Sequence, residues 1–297
     1  MTAIVLALTL IAIDPGAGTT GFDFLHITPT AREAALAGAS TAKPAGAFGF
    51  YYNPAATGAL TGAEFTYINY PAGIHLGSAA YTQPLDNTKG VGAGIFYLNS
   101  GTMKKTNEQG EELGTFGASF TALNLSGSYQ PTGALLLGIG IAGLYGTIDT
   151  FFSVGLVGNL GATYEPPVTG LRLGFSARNL GVQIKPFGTR DPMPLEFSLG
   201  ACYEPTPGLN LNLNLSKPQG NRFNIRAGIE GWVNQFLALR AGYNSLGSDL
   251  MAGSGADPLA GFAAGIGIRY NRYQLDYTFV PMVALGAAHR ISFGFTL

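Results

Sequence analysis

The chain has 297 residues, 44 of them Gly and only 11% charged, with 16 Lys and Arg against 17 Asp and Glu. So apolar and evenly charged a chain can bury its surface, which excludes disorder, and it has no basic footprint for nucleic acid. Its single cysteine, Cys202, excludes an intrachain disulfide, and no run of 18 apolar residues exists to form a membrane-spanning helix.

From the N-terminus, Ala3 to Ile13 form an apolar stretch interrupted only by Thr9, with small residues Gly16, Ala17 and Gly18 after it. It is too short to span a bilayer and predicts an export signal over 1–18, although no Lys or Arg precedes it. Residues 22–62 predict a short helical segment. Thr30 and Glu33 have capping-box spacing before a helical run Ala31–Ala39, and Asn53 caps a second turn that opens on Pro54. This segment is too small to own a core, so it is expected to pack against or inside the remainder of the chain, with Arg32, Glu33, Asn53 and Pro54 docking it.

From residue 64 to 297 the period is two. In Leu209-Asn210-Leu211-Asn212-Leu213-Asn214-Leu215 the leucines take one face and the asparagines the other, which no helix accommodates. The same alternation predicts fourteen strands, near 64–70, 74–82, 90–103, 112–130, 134–145, 152–164, 171–179, 195–203, 209–216, 223–233, 236–243, 262–270, 273–279 and 289–297. Most have the length that crosses a bilayer at a tilt.

Such a pattern suits a soluble sandwich with its apolar face inward, or a membrane barrel with that face outward and no free edge. Arg172, Arg178, Glu196, Arg226, Glu230, Arg240, Arg269, Asp276 and Arg290 all fall opposite the apolar face. That polar face is also unusually small, with Gly138, Gly140, Ala142, Gly265 and Gly267 on it, as a narrow, filled interior requires. Connection lengths sort by parity. The turns after even-numbered strands are short, and 180–194 and 244–261 are the longest of the others, as expected if short turns face the periplasm. The fold class read from the sequence is therefore all-β: a 14-stranded antiparallel transmembrane β-barrel over 64–297 with an N-terminal helical plug over 22–62. The nine charges are expected to line the lumen, pairing with each other and with the plug, or else to form a polar path or ligand-orienting site. Tyrosines near the strand ends, among them Tyr67, Tyr70, Tyr97 and Tyr277, suit an interfacial girdle.

Several stretches also carry a resemblance: Thr30-Ala31-Arg32-Glu33-Ala34-Ala35-Leu36-Ala37-Gly38-Ala39, Tyr52-Asn53-Pro54-Ala55, Ala177-Arg178-Asn179-Leu180-Gly181 and Met193-Pro194-Leu195, then Arg240-Ala241-Gly242-Tyr243-Asn244, Leu275-Asp276-Tyr277 and His289-Arg290-Ile291-Ser292-Phe293. In this order the chain resembles the PorV/PorQ family of outer-membrane proteins, which have a FadL-like barrel. The resemblance implies a bacterial outer-membrane location and a part in type IX secretion. That part is to receive secreted proteins by their C-terminal signal domains and to work with other secretion-system subunits.

No enzyme is legible. Gly138–Gly143 and Gly16–Gly21 match a dinucleotide fingerprint formally, but neither stands between a strand and a helix. His26, His75 and His289 lack metal-ligand spacing, no Gly-x-Ser-x-Gly occurs, and no cofactor is expected. Two functions remain: an interaction module whose outer loop presents Leu246, Leu250, Met251 and Leu259 to a secreted protein, and a FadL-like passive transporter of hydrophobic small molecules. The small, polar inward face argues against a large apolar pocket and favours interaction.

Overall fold

The structure, a computed structural model, describes residues 16, 18–251 and 257–297. The expected export signal lies, apart from Gly16 and Gly18, outside the described residues, as does the side chain of Leu250. Sixteen strands come after the N-terminal segment: β1 (Gly62–Asn69), β2 (His75–Pro84), β3 (Lys89–Asn99), β4 (Met103–Thr106), β5 (Glu112–Phe116), β6 (Ala118–Thr132), β7 (Leu135–Ile148), β8 (Phe151–Tyr164), β9 (Leu171–Lys185), β10 (Glu196–Thr206), β11 (Leu209–Pro218), β12 (Asn224–Trp232), β13 (Leu237–Asn244), β14 (Phe262–Tyr270), β15 (Tyr273–Pro281) and β16 (Ala287–Thr296). Fourteen of them close into one antiparallel barrel in which β1 pairs both β2 and β16, while β4 and β5 form a separate hairpin.

Which way the sheet faces is settled by β11. Leu213 is 55% exposed and Asn214 1%. Leu211 and Leu215 are exposed beside Leu213, and Asn210 and Asn212 are buried beside Asn214. A soluble sheet would do the reverse, because exposing Leu to water and burying Asn are both unfavourable there. In a bilayer the outward leucines meet acyl chains, and the inward amides find partners in an enclosed lumen. Closure leaves no barrel strand with an unpaired edge in lipid.

The strand edges depart from expectation in two places. The expected strand 112–130 is two elements, and 90–103 stops at Asn99. Gly101, with φ 68°, turns the chain away, so that 103–116 folds as the outlying β4–β5 hairpin while β3 pairs with β6. Lys105 Nζ holds this hairpin to Asp149 Oδ2 in the β7–β8 turn at 2.5 Å. In the other place β9 does not end at 179. Asn179 adopts φ 61° and the β8–β9 register shifts beside it, a bulge after which the strand runs on to Lys185. The long loop expected at 180–194 therefore spans only 186–195.

Inside the barrel lies the segment from 18 to 61. Its helix, α1 (Ala31–Ala35), is one turn rather than the nine residues expected. Ala37 and Gly38 take positive φ and reverse the chain there, because the barrel wall leaves no room for further turns. Pro54–Ala56 forms a 3-10 turn, and Asn53 caps it by accepting from the Ala55 N–H at 3.0 Å.

Candidate functional site

The plug approaches the wall by backbone contact, which explains the small inward face. A Cβ added at Gly138 of β7 would collide with the Pro54 carbonyl group, and one at Gly242 of β13 with the Leu36 carbonyl carbon. Only glycine allows main chain to lie directly on main chain here. Several of the polar groups so buried find partners at the seam. The Ala31 N–H donates to Ser292 Oγ at 2.8 Å, Thr278 Oγ1 donates to the Ala31 carbonyl at 2.5 Å, and Asn53 Nδ2 donates to the carbonyls of Thr41 and Ala162. The Asn214 amide meets the Thr41 hydroxyl at 2.6 Å.

Charge fixes the same dock. Arg32 donates from Nε and Nη2 to the two oxygens of Glu230, at 2.8 and 2.7 Å, and from Nη1 to Glu33 Oε1 at 2.7 Å. Arg240 donates to Glu230 Oε2 and to Asp276 Oδ1, each at 2.6 Å. Burial opposes the Arg32 charge, but Glu230 and Glu33 outweigh it and hold the guanidinium above its ordinary range. Glu33 is closed on every side, since its second oxygen accepts from the Thr30 hydroxyl at 2.6 Å, and Ala45 N–H reaches the first at 3.1 Å. Thr30 Oγ1 lies 2.8 Å from the Tyr52 hydroxyl, and burial pushes that phenol upward so that it keeps its proton. A second node is Glu196, which Arg178 and Arg226 meet at 3.2 and 3.1 Å, with His26 at 3.6 Å.

Of the nine charges expected in the lumen, six belong to these two nodes. Arg172 and Arg269 do not; they sit at the rim of the short-turn end, the first on Glu165 and the second 4.1 Å over the ring of Trp232. The strand pattern places both on the inward face, but so near the strand ends that the lumen has already opened. Arg290 is the ninth. It is 4% exposed, donates to the Thr28 carbonyl at 3.2 Å and lies over the Tyr70 ring. It pairs with no carboxylate among the described residues, and its Nη1 has no hydrogen-bond partner.

Arg290 faces a cavity of about 810 Å³ at the long-loop end of the barrel. Its floor is the plug stretch 20–28, and its apolar wall centres on Phe22, Phe24, Phe120 and Phe187. Phe24 stacks on Phe120 at 5.6 Å, while Phe22 and Phe187 meet Phe120 edge-on at 6.2 and 6.3 Å. The expectation that no large apolar pocket exists is thus corrected. The lumen face is small and polar, as expected, but this cavity's wall comes mainly from plug and strand-end aromatics, which strand periodicity does not bring together. Tyr70, assigned to the girdle, turns inward to line it, and so does Leu246 of the outer loop. Met251 and Leu259 remain exposed. No group of three or more His, Cys, Asp or Glu among the described residues is placed to hold a metal.

No family model matches the chain, and no curated protein matches it either. Solved structures do. The chain is similar to the Ralstonia pickettii toluene transporter TbuX, with 13% identity, 94% of this chain and 99% of that one covered, and a TM-score of 0.64. It is similar to the Pseudomonas putida toluene transporter TodX at 14% identity, covering 89% and 96%, with a TM-score of 0.62. For a Pseudomonas aeruginosa FadL homologue the values are 13% identity, 94% and 100% coverage, and 0.63. The fold is thus that of the 14-stranded FadL-like barrels of the bacterial outer membrane.

Proposed function

We propose that the protein is a passive transporter of hydrophobic small molecules, which enter through the outer cavity and pass inward when the plug shifts. The observation that carries this reading is the cavity itself: about 810 Å³, open to the long-loop end, walled by four clustered Phe rings and floored by the plug. Its likeness in fold to two toluene transporters supports the reading. The secretion reading finds no support in the comparisons, and Leu246, one of its proposed loop contacts, is turned into the cavity rather than toward a partner.

The test is uptake of labelled toluene and labelled decanoate by cells expressing the wild type, Phe120→Asp, or no barrel. Uptake should need the barrel and fall at least about tenfold in Phe120→Asp, because a carboxylate in the cavity wall must be desolvated for the ligand to pack there. Equal uptake in all three strains refutes the proposal.

A further inference from the structure

The outward face holds one polar constellation that transport does not use. At the outer end of β1, Asn69 stands in register between His289 of β16 and His75 of β2. One outward position further down the strands, two tyrosines reach up to these histidines. Tyr67 Oη lies 2.8 Å from His75 Nδ1, and Tyr277 Oη lies 2.8 Å from His289 Nδ1. The Tyr67 and His75 rings stack with centroids 6.0 Å apart and 18° between planes, and Phe279 flanks His289 at 5.5 Å. Two of the chain's three histidines are therefore held in fixed orientations on the membrane-facing side, about two strand spacings, or ~10 Å, apart.

Hydrogen bonding at Nδ1 decides what the other nitrogen offers. When the tyrosine hydroxyl donates to Nδ1, the proton of the neutral imidazole sits on Nε2. Neither Nε2 has a hydrogen-bond partner among the described residues. In that tautomer two ring donors, with the Asn69 amide between them, face the outer interface, just above aromatic side chains of the kind that mark the headgroup level. The surroundings repel no anion. Stretches 65–83 and 277–293, the outer parts of these strands with both of their outer turns, contain no Asp or Glu, and Glu64 and Asp276 lower on the same strands are buried on the inner face. The one charged residue within the two stretches is Arg290, on the inner face.

We propose that His75, Asn69 and His289 form a binding site for the phosphate of an outer-leaflet lipid headgroup. In that tautomer the two rings and the amide offer it three convergent hydrogen-bond donors. The acyl chains of such a lipid lie along the apolar belt below, against Phe65 and Phe293, both exposed on the same face. Headgroup and chains are thus engaged together, which a free phosphate cannot reproduce.

The site is tested by native mass spectrometry of the purified full-length barrel in detergent, titrated with diphosphorylated lipid A. Controls are the same lipid with both phosphates removed and an excess of inorganic phosphate. Wild type should retain the diphosphorylated lipid at least about tenfold better than His75→Leu/His289→Leu, and better than the dephosphorylated lipid by a similar factor. The His75→Gln/His289→Gln variant keeps an N–H donor at each position and should recover most of the binding. Heat-modified gel migration identifies folded barrels, so a misfolded variant is recognised directly. Equal retention by wild type and the Leu variant, or complete displacement of the lipid by inorganic phosphate, overturns the proposal.

Discussion

Replacing Glu230 with Ala leaves Arg32 and Arg240 beside each other in a buried lumen with their shared carboxylate gone. Three charged hydrogen bonds of 2.8, 2.7 and 2.6 Å are lost, together with the acceptor for Asn210 at 3.2 Å. Each guanidinium keeps one carboxylate, Glu33 or Asp276, so neither is wholly unpaired. Breaking a buried pair from one side costs about 3–5 kcal/mol. Because Arg32 is on the plug and Glu230 on the wall, most of that cost weakens docking of the plug. Amide hydrogen exchange over 31–42 should then accelerate by roughly two to nearly four orders of magnitude, with the strand amides slow as before. Adding Arg32→Met leaves Glu33 without its ion partner, held only by Thr30 and the Ala45 N–H, while Arg240 keeps Asp276; because both changes break the same pair, the double variant should lose less protection than the two single losses summed. Losses that simply add in the double variant, or unchanged exchange in Glu230→Ala, would refute the reasoning.

Two further perturbations separate the faces of the wall. Gly242→Leu should force the plug turn at Leu36 off β13 at a cost of at least about 1–3 kcal/mol, whereas Gly143→Ala, on the outer face with open space around it, should leave stability unchanged. Thermal unfolding in detergent, followed by heat-modified migration, compares the two. Leu213→Arg puts a guanidinium into the acyl belt near the middle of β11 and should cost about 2–4 kcal/mol of folding free energy, read by refolding into vesicles across a urea series. A neutral result there contradicts the membrane orientation of the leucine face.

The barrel is legible in the sequence because one physical rule, side chains alternating between lipid and lumen, governs nearly every strand. Leu209 to Leu215 shows the rule openly, and the charges of Arg178, Glu196, Arg226, Glu230, Arg240 and Asp276 give its sign. The features that escaped have local causes. Asn179 reads as the end of a strand, since Asn favours turns, but here its left-handed backbone makes a bulge and the strand continues. α1 looks longer in sequence than it is, because the alanines to Ala39 favour helix while the glycine-lined wall under Leu36 permits only a turn. The cavity is the largest omission. Phe22, Phe24, Phe120 and Phe187 come from the plug, one barrel strand and an outer loop, and no period relates residues so far apart. A signal was present in the aromatic pair Phe22 and Phe24, placed outside any strand and ahead of the plug helix, where neither a girdle nor a barrel wall accounts for them.

Whether the plug must move for a ligand to pass is answered most directly by locking it. Ala31 and Ser292 meet across the seam, with the Ala31 N–H 2.8 Å from Ser292 Oγ. Cysteines at both positions, in a Cys202→Ala background, tie plug to wall under oxidising conditions. With the cross-link verified by mass spectrometry, uptake of labelled toluene or decanoate should stop in the oxidised barrel and return on adding reductant. Undiminished uptake through the locked barrel would contradict the account.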